Sequence, residues 1–308
     1  PKANASTNDG RITCYAAKAL LARVYLFYTG YYGASDLVGV VTKEQALAGL
    51  EDVISSKEYD LVPEFKNLWP AASSTPVKGK FEFVSTYAGD GNIETVLSMK
   101  FNTTQDYNGN QDGNRWLVMM GMRNTNWSPY GKGWGACTVH PKVWNAFESG
   151  DKRKTASIID LVGEGIESSF DLKDQREYTG YTVKKYTPMA FADGTSASKA
   201  DGSGDFQTSQ HQDFVVVRYA DVLLMAAELG SSNAQLYFDK VRSRAGLTTK
   251  EPSQENIMKE RFVEFAFEGQ RYWDLLRQGI DVASSTIAES GIELKSGGNP
   301  DVITITAD

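Results

Sequence analysis

The stretch VVRYADVLLMAAELG, residues 216–230, decides how the rest of the chain is read. Val217, Ala220, Leu223, Leu224 and Ala227 recur at the three- and four-residue spacing of one helix face, and Gly230 supplies a C-terminal stop. Two more helices follow from the same pattern. Residues 234–244 turn Leu236, Tyr237, Val241 and Ala245 inward before Gly246, and residues 254–276 carry Ile257, Phe262, Phe265, Ala266, Trp273, Leu275 and Leu276 before Gly279. Far upstream, residues 11–28 repeat the pattern through Ala16, Ala17, Leu20, Leu21, Val24, Tyr25 and Tyr28. In residues 42–56, Ala46, Leu50, Val53 and Ile54 share a face, and Thr42 with Gln45 forms a capping box. Small residues and an aromatic near the helix ends give these two helices the packing signature of a tetratricopeptide-like pair. A solenoid needs about three such units to bury a continuous core, so the C-terminal helices must supply the partners.

Between the two helical blocks lies a region rich in Gly, Asn, Ser, Thr, Tyr and Trp. Its apolar runs are short, at residues 81–86, 95–99, 117–120, 157–162 and 181–186, and predict short strands among ordered loops, with turn signals at Asn108-Gly109, Asp112-Gly113, Pro129 and Gly131. The low-complexity segment 192–205 reads as a mobile surface loop. A long insertion of this kind in a compact fold is normally functional. The expected organisation is one domain over 1–308: a helical scaffold at about 11–60 and 213–280, and a loop-rich ligand-binding region at about 61–212.

Composition excludes several classes. The net charge of -7, from 39 acids against 32 bases, offers no basic field for a nucleic acid backbone. Cys14 and Cys137 cannot build a disulfide framework, and with only His140 and His211 a Cys/His metal site is excluded. The longest apolar run, residues 16–28, is broken by Lys18 and Arg23, far short of the roughly 18 residues of a membrane span. The N-terminus has no initiator Met and no export signal, which reads as a processed or truncated piece of a longer protein. No G-x-S-x-G, Walker-A, dinucleotide or His-Glu-x-x-His motif occurs, and no cofactor is expected.

Three C-terminal segments together carry a family resemblance: Val217-Arg218-Tyr219-Ala220-Asp221-Val222-Leu223-Leu224-Met225 with Ala227-Glu228; Val241-Arg242-Ser243-Arg244-Ala245-Gly246; and Glu260-Arg261, Glu264, Phe267-Glu268-Gly269, Arg271-Tyr272-Trp273-Asp274-Leu275 with Arg277. In this order they resemble the SusD/RagB family. The helix at 11–28 and the stretch from Gly133-Trp134 through Pro141, Phe147, Asp151 and Arg153 are similar to that family as well. The resemblance implies a mainly α fold of tetratricopeptide-like helix pairs, a SusD-like α-α superhelix, with a large loop-rich insertion containing short strands. It implies non-catalytic capture of oligosaccharide or polysaccharide nutrients at the bacterial outer-membrane surface and delivery to a SusC-like TonB-dependent transporter. Membrane attachment would come only through an N-terminal lipid anchor that these 308 residues do not include.

Candidate site residues follow from chemistry. Sugar rings stack their C–H faces on flat aromatic surfaces, while amides and guanidinium groups at the rim meet the hydroxyls. The loop 107–134 has that composition. Trp127 and Tyr130 are the first choice for stacking, with Trp116, Trp134, Asn126 and Arg123 beside them; the alternative for each aromatic is packing of the loop onto the helices. Trp69, Trp144 and Trp273, in helical contexts, are expected in the core. Asp106, Asn108, Asn110 and Asp112 alternate like the ligands of a calcium loop, but with Asn108 as the first ligand Met119 falls where the bidentate Glu belongs, and an Asn/Asp-rich turn is the preferred reading. Glu260, Arg261, Glu264, Glu268, Arg271, Asp274 and Arg277 invite an acid–base reading. Their one-turn spacing instead predicts a salt-bridge ladder on one helix, joined by Arg218 and Glu228. Two rivals to binding remain: a glycoside hydrolase on the same glycans, with Asp106 and Asp112 as candidate carboxylates, and an interaction scaffold without a sugar site, which requires Trp116, Trp127 and Tyr130 all to be buried.

Overall fold

The computed structural model describes residues 11–104, 113–166, 174–295 and 301–307. The first helix, α1 (Cys14–Tyr32), starts where the Thr13 hydroxyl accepts a hydrogen bond from the Ala16 N–H and ends at Gly33 in the left-handed conformation. Next, α2 (Lys43–Ser55) carries the expected capping box, with the Thr42 hydroxyl accepting from Gln45 N–H and the Gln45 side chain accepting from Thr42 N–H. Then come α3 (Pro70–Ser73), α4 (Arg115–Met120), α5 (Pro141–Ala146) and α6 (Arg153–Ser157), all short, followed by α7 (Tyr219–Glu228), α8 (Ala234–Arg244), α9 (Gln254–Glu264), α10 (Arg271–Leu276) and α11 (Ile280–Ile287). No described helix is long and apolar enough to cross a membrane.

Helices α1 and α2 pack together, as do α7 and α8, and α2 lies on α7 while α7 also meets α9. Ala16, Ala19 and Ala22 on α1 and Ala220, Ala226 and Ala227 on α7 are buried at these contacts, and with Leu50, Val53, Leu223, Leu224, Phe238 and Val241 they form one core. The absence of bulk at the alanines lets the helix axes approach. Helices of the two sequence-distant blocks therefore share one core.

Strands are short and occur in pairs: β1 (Ser74–Pro76) with β2 (Phe83–Ser85), β3 (Thr95–Met99) with β8 (Phe214–Arg218), β4 (Met122–Arg123) with β5 (Lys132–Gly133), β6 (Ile158–Asp160) with β7 (Tyr181–Val183), and β9 (Glu289–Leu294) with β10 (Asp301–Ile305). The β4–β5 pair is parallel and the other four are antiparallel. Strand β8 runs directly into α7, so the β3–β8 pair stitches the loop-rich region to the scaffold. A second core, built from Phe65, Leu68, Trp69, Leu117, Val139, Phe147, Ile158 and Tyr186, lies under the loops.

Three expectations are corrected. Residues 117–120, expected as a strand, are helical in α4, since a short apolar run does not by itself distinguish the two periods. The helix expected at 254–276 is two helices, broken where Phe267 and Gly269 take positive φ. Trp273, expected in the core, is 53% exposed; Trp69 is buried, and Trp144 is half-buried against Tyr181 with ring centroids 4.6 Å apart. Within the 192–205 segment the Asp193, Asp201 and Asp205 carboxylates close local turns by accepting hydrogen bonds from the N–H groups of Thr195, Ser203 and Gln207, and Ala190 bridges to Ser196.

Candidate functional site

Two places concentrate chemistry, and the first is a buried seam of charge. Glu264, at the end of α9, accepts from Arg244 at 2.5 Å, Arg218 at 2.8 Å and Arg153 at 3.0 Å. Glu260, one turn earlier, takes Arg153 at 2.5 Å and Arg242 at 2.8 Å. Glu268 takes Lys185 at 2.7 Å and Arg218 at 2.8 Å, while Glu94 bridges Arg218 at 2.6 Å and Arg244 at 3.0 Å. Asp151 completes the Arg153 fork at 2.7 Å. Both oxygens of Glu94, Glu260, Glu264 and Glu268 are engaged. Burial alone would raise the Glu264 carboxyl, but Arg244, Arg218 and Arg153 override it and hold the group well below the usual carboxylate range. Burial lowers the Lys185 ammonium to about 8, against the pull of Glu268.

A second set links α1, α7 and α10: Arg261 spans Asp221 at 2.5 Å and Asp274 at 2.9 Å, Arg23 also bonds Asp221, and Arg277 joins Asp274 to Glu228. The expected ladder along one helix is thus a set of cross-links between elements, because the chain turns after Glu264. Arg271 stands over the Phe262 ring at 4.1 Å rather than on Glu268. Acid–base work needs a carboxylate with a free oxygen facing a substrate; the four glutamates of the seam have none.

The second place is the loop surface that follows α4. Asn114 caps α4 by accepting from Trp116 N–H, and its own amide donates to the Gln212 carbonyl. Gly121 and Gly133 then allow β4 and β5 to lie against α4: a Cβ on Gly133 would run into the Val118 carbonyl oxygen, and the neighbouring Trp134 N–H donates to that oxygen at 2.8 Å. Trp127 and Tyr130 exchange backbone hydrogen bonds of 3.0 and 2.8 Å across Ser128-Pro129. The Asn126 side chain accepts from Lys132 N–H at 2.8 Å, which closes the loop at its base.

The sequence candidates separate here. Trp127 is 37% exposed and Trp134 is 39% exposed, and both stand on this surface with Asn126. Arg123 is half-buried, bonded to Asp174 at 3.2 Å. Tyr130, the other first choice for stacking, is 5% exposed: its ring lies in a core with Met122, Ile159 and Tyr178, and its hydroxyl donates to Glu164 at 2.6 Å. It supports the turn and leaves no ring face for a ligand. Trp116 turns inward against Phe214, with centroids 5.5 Å apart. The scaffold reading required all three of Trp116, Trp127 and Tyr130 to be buried, and Trp127 is not. Asp106, Asn108, Asn110 and Asp112 lie outside the described residues; among the described residues no cluster of three His, Cys, Asp or Glu could hold a metal.

The sequence reading missed residues that arrive from far along the chain. Gln207 accepts from the Trp134 indole N–H at 2.9 Å, and Phe206 lies under the Lys132 ammonium at 4.4 Å. Arg115 sits over the Trp134 ring at 5.6 Å. A cavity of about 240 Å³ opens between Asn126, Lys132, Met189, Ser196, Asp205 and Phe206. The only available signal was Phe206 itself, a large apolar residue closing a polar, glycine-rich segment.

Residues 164–299 match the SusD family model. The chain is 25% identical over 296 residues to the SusD-like protein P2 of Formosa agariphila, covering 90% of this chain and 52% of that protein. Among solved structures it is similar to the surface glycan-binding protein A of Bacteroides thetaiotaomicron, with a TM-score of 0.70, 25% identity and coverage of 92% of this chain and 57% of that one. It is likewise similar to a laminarin binding SusD-like protein, with a TM-score of 0.69, 27% identity and coverage of 90% and 57%. The chain therefore spans a little over half the length of the relatives it matches. Motif order, the helix-pair scaffold and these likenesses together make the chain similar to SusD-family proteins, with the family model itself matching residues 164–299.

Proposed function

We propose that this chain carries the glycan-binding surface of an outer-membrane nutrient-binding protein, that it holds its ligand without chemistry, and that it passes the ligand to a SusC-like TonB-dependent transporter. The observation that carries the reading is the pair of half-exposed indoles, Trp127 and Trp134, held on stiff loops beside Asn126 and the cavity at Lys132. A sugar ring stacks on such faces while its hydroxyls meet the amide and ammonium groups around them. Relatives of the same fold, named for glycan or laminarin binding, support the ligand class. The seam carboxylates, buried and fully paired, offer no acid–base group, and Asp106 and Asp112, the carboxylates a hydrolase would use, lie outside the described residues.

Calorimetry of the chain against β-glucan and other polysaccharide fragments tests this. Trp127→Ala and Trp134→Ala should each weaken binding by about 1–2 kcal/mol, the range for removing an aromatic anchor, with thermal stability little changed. Accumulation of reducing ends would refute the non-catalytic part, and undiminished binding in both variants would move the site elsewhere.

A further inference from the structure

The glycan surface carries two cations with no acidic partner among the described residues. Lys132, on β5, rests its ammonium on the Phe206 ring at 4.4 Å and has no ion pair among the described residues. Arg115, at the start of α4, lays its guanidinium over Trp134 at 5.6 Å and likewise has none. The two are joined through the surface: Trp134 is two residues from Lys132, and its indole N–H donates to Gln207, next to Phe206. Elsewhere in the loop region Arg123 is held by Asp174, Lys184 by Glu164 and Lys100 by Asp213, while Lys154 rests on the Trp144 ring at 3.9 Å; Lys132 and Arg115 differ from all of these in standing beside the exposed indole of Trp134.

One carboxylate shares the cavity with Lys132. Asp205 directs Oδ1 to its own turn, accepting from Gln207 N–H at 2.8 Å and Thr208 N–H at 3.0 Å. It shapes the cavity wall, and the Lys132 ammonium sits on the Phe206 ring. A cation on an aromatic face keeps its charge while losing part of its water, so its remaining N–H donors favour an anion over a hydroxyl. The guanidinium of Arg115 adds a planar fork suited to two oxygens of one acidic group.

We propose that this surface selects acidic glycans, with Lys132 and Arg115 receiving the carboxylate or sulfate oxygens of charged sugars whose rings stack on Trp127 and Trp134. The proposal rests on the glycan-binding reading above and specifies its ligand. Lys132 sits at the cavity and Arg115 beside Trp134, so the charges on the ligand are met at two positions along it. A fragment with acidic groups on successive sugars fits better than one with a single charged end.

The test uses three probes of matched length: a neutral β-glucan hexasaccharide, an oligouronate, and a sulfated galactan fragment. The whole chain should bind one acidic probe at least ten-fold more tightly than the neutral one at low salt, and that advantage should shrink as salt is raised. The better of the two acidic probes identifies carboxylate or sulfate as the group read. Lys132→Gln and Arg115→Gln, each checked for an unchanged circular dichroism spectrum and melting temperature, should collapse the ratio of acidic to neutral binding toward one. Preferential binding of the neutral probe, or a ratio that neither variant changes, would overturn the proposal and leave the glycan-binding reading intact. Failure of all three probes to bind the folded chain would remove both.

Discussion

The charged seam and the aromatic surface use similar side chains to opposite ends. In the seam, buried arginines meet carboxylates with both oxygens of Glu94, Glu260, Glu264 and Glu268 bonded; on the loop surface, Arg115 and Lys132 meet aromatic rings and have no ion pair among the described residues. The difference is one of satisfaction. A buried ion pair with complete hydrogen bonding orients what it joins and has no capacity left for a ligand. A cation on a half-exposed ring is only partly satisfied, and that remainder is what recognition can use.

Removing a seam member should have the largest effect. Glu264→Ala would leave Arg153, Arg218 and Arg244 short of a common partner inside the protein, and we expect a loss of about 3–5 kcal/mol in urea unfolding. A loss under about 1 kcal/mol would mean that the seam is not the structural tie its geometry suggests. Acid should act on the same groups more gradually. Glu264 and Asp221 are held below their usual range against the opposing effect of burial, by Arg244, Arg218 and Arg153 for the first and by Arg261 and Arg23 for the second. Because the folded-state values are depressed, the unfolded chain binds more protons as pH falls. The stability these groups supply is full at neutral pH and drains away below about pH 4. A melting temperature that stays flat from pH 5 to pH 2 would contradict this.

Gly133→Ala probes the other region. The added Cβ must push the β5 backbone away from Val118, so we expect a loss of about 1–3 kcal/mol in stability together with weakened glycan binding as Trp134 moves. Retention of both would show that the loop yields more easily than its close approach implies. At the small end, Lys259 and Glu255 form an exposed pair one turn apart on α9, and Lys259→Ala should change stability by no more than about 0.5 kcal/mol. The same kinds of charge are therefore decisive at Glu264 and nearly irrelevant at Lys259, because only the former are cut off from water.

What the sequence made legible follows from range. The capping box at Thr42 and Gln45, the buried faces of α2 and α7 and the stop at Gly246 are decided within one or two turns, and the structure has them where spacing predicts; on α1 the expected face is rotated, since Ala17, Leu21 and Val24 are exposed and the buried side runs through Ala16, Ala19, Ala22 and Tyr25. The break after Glu264 was also local, since Gly269 stands in the motif, but the helical apolar pattern of residues 254–276 outweighed it. Tyr130 and Trp116 read as surface residues because their neighbours are polar; whether a ring points in or out depends on Glu164 and Phe214, which are 34 and 98 positions away in the sequence. Glu94, Arg153 and Lys185 lie even further from notice, because nothing near them announces a shared partner. Lys132 and Phe206 meet only once the loops close.

The seam also bears on how the chain folds. Its members come from β3's approach, α6, β7's exit, the β8–α7 junction, α8 and α9, so no single stretch can assemble it alone. With the helical half built and the loop half not, Glu264 lacks Arg153 and Glu268 lacks Lys185, so such intermediates miss part of the seam's pairing and burial and are disfavoured. The two halves should consequently melt in a single transition, and no truncation between them should yield a part that stands by itself.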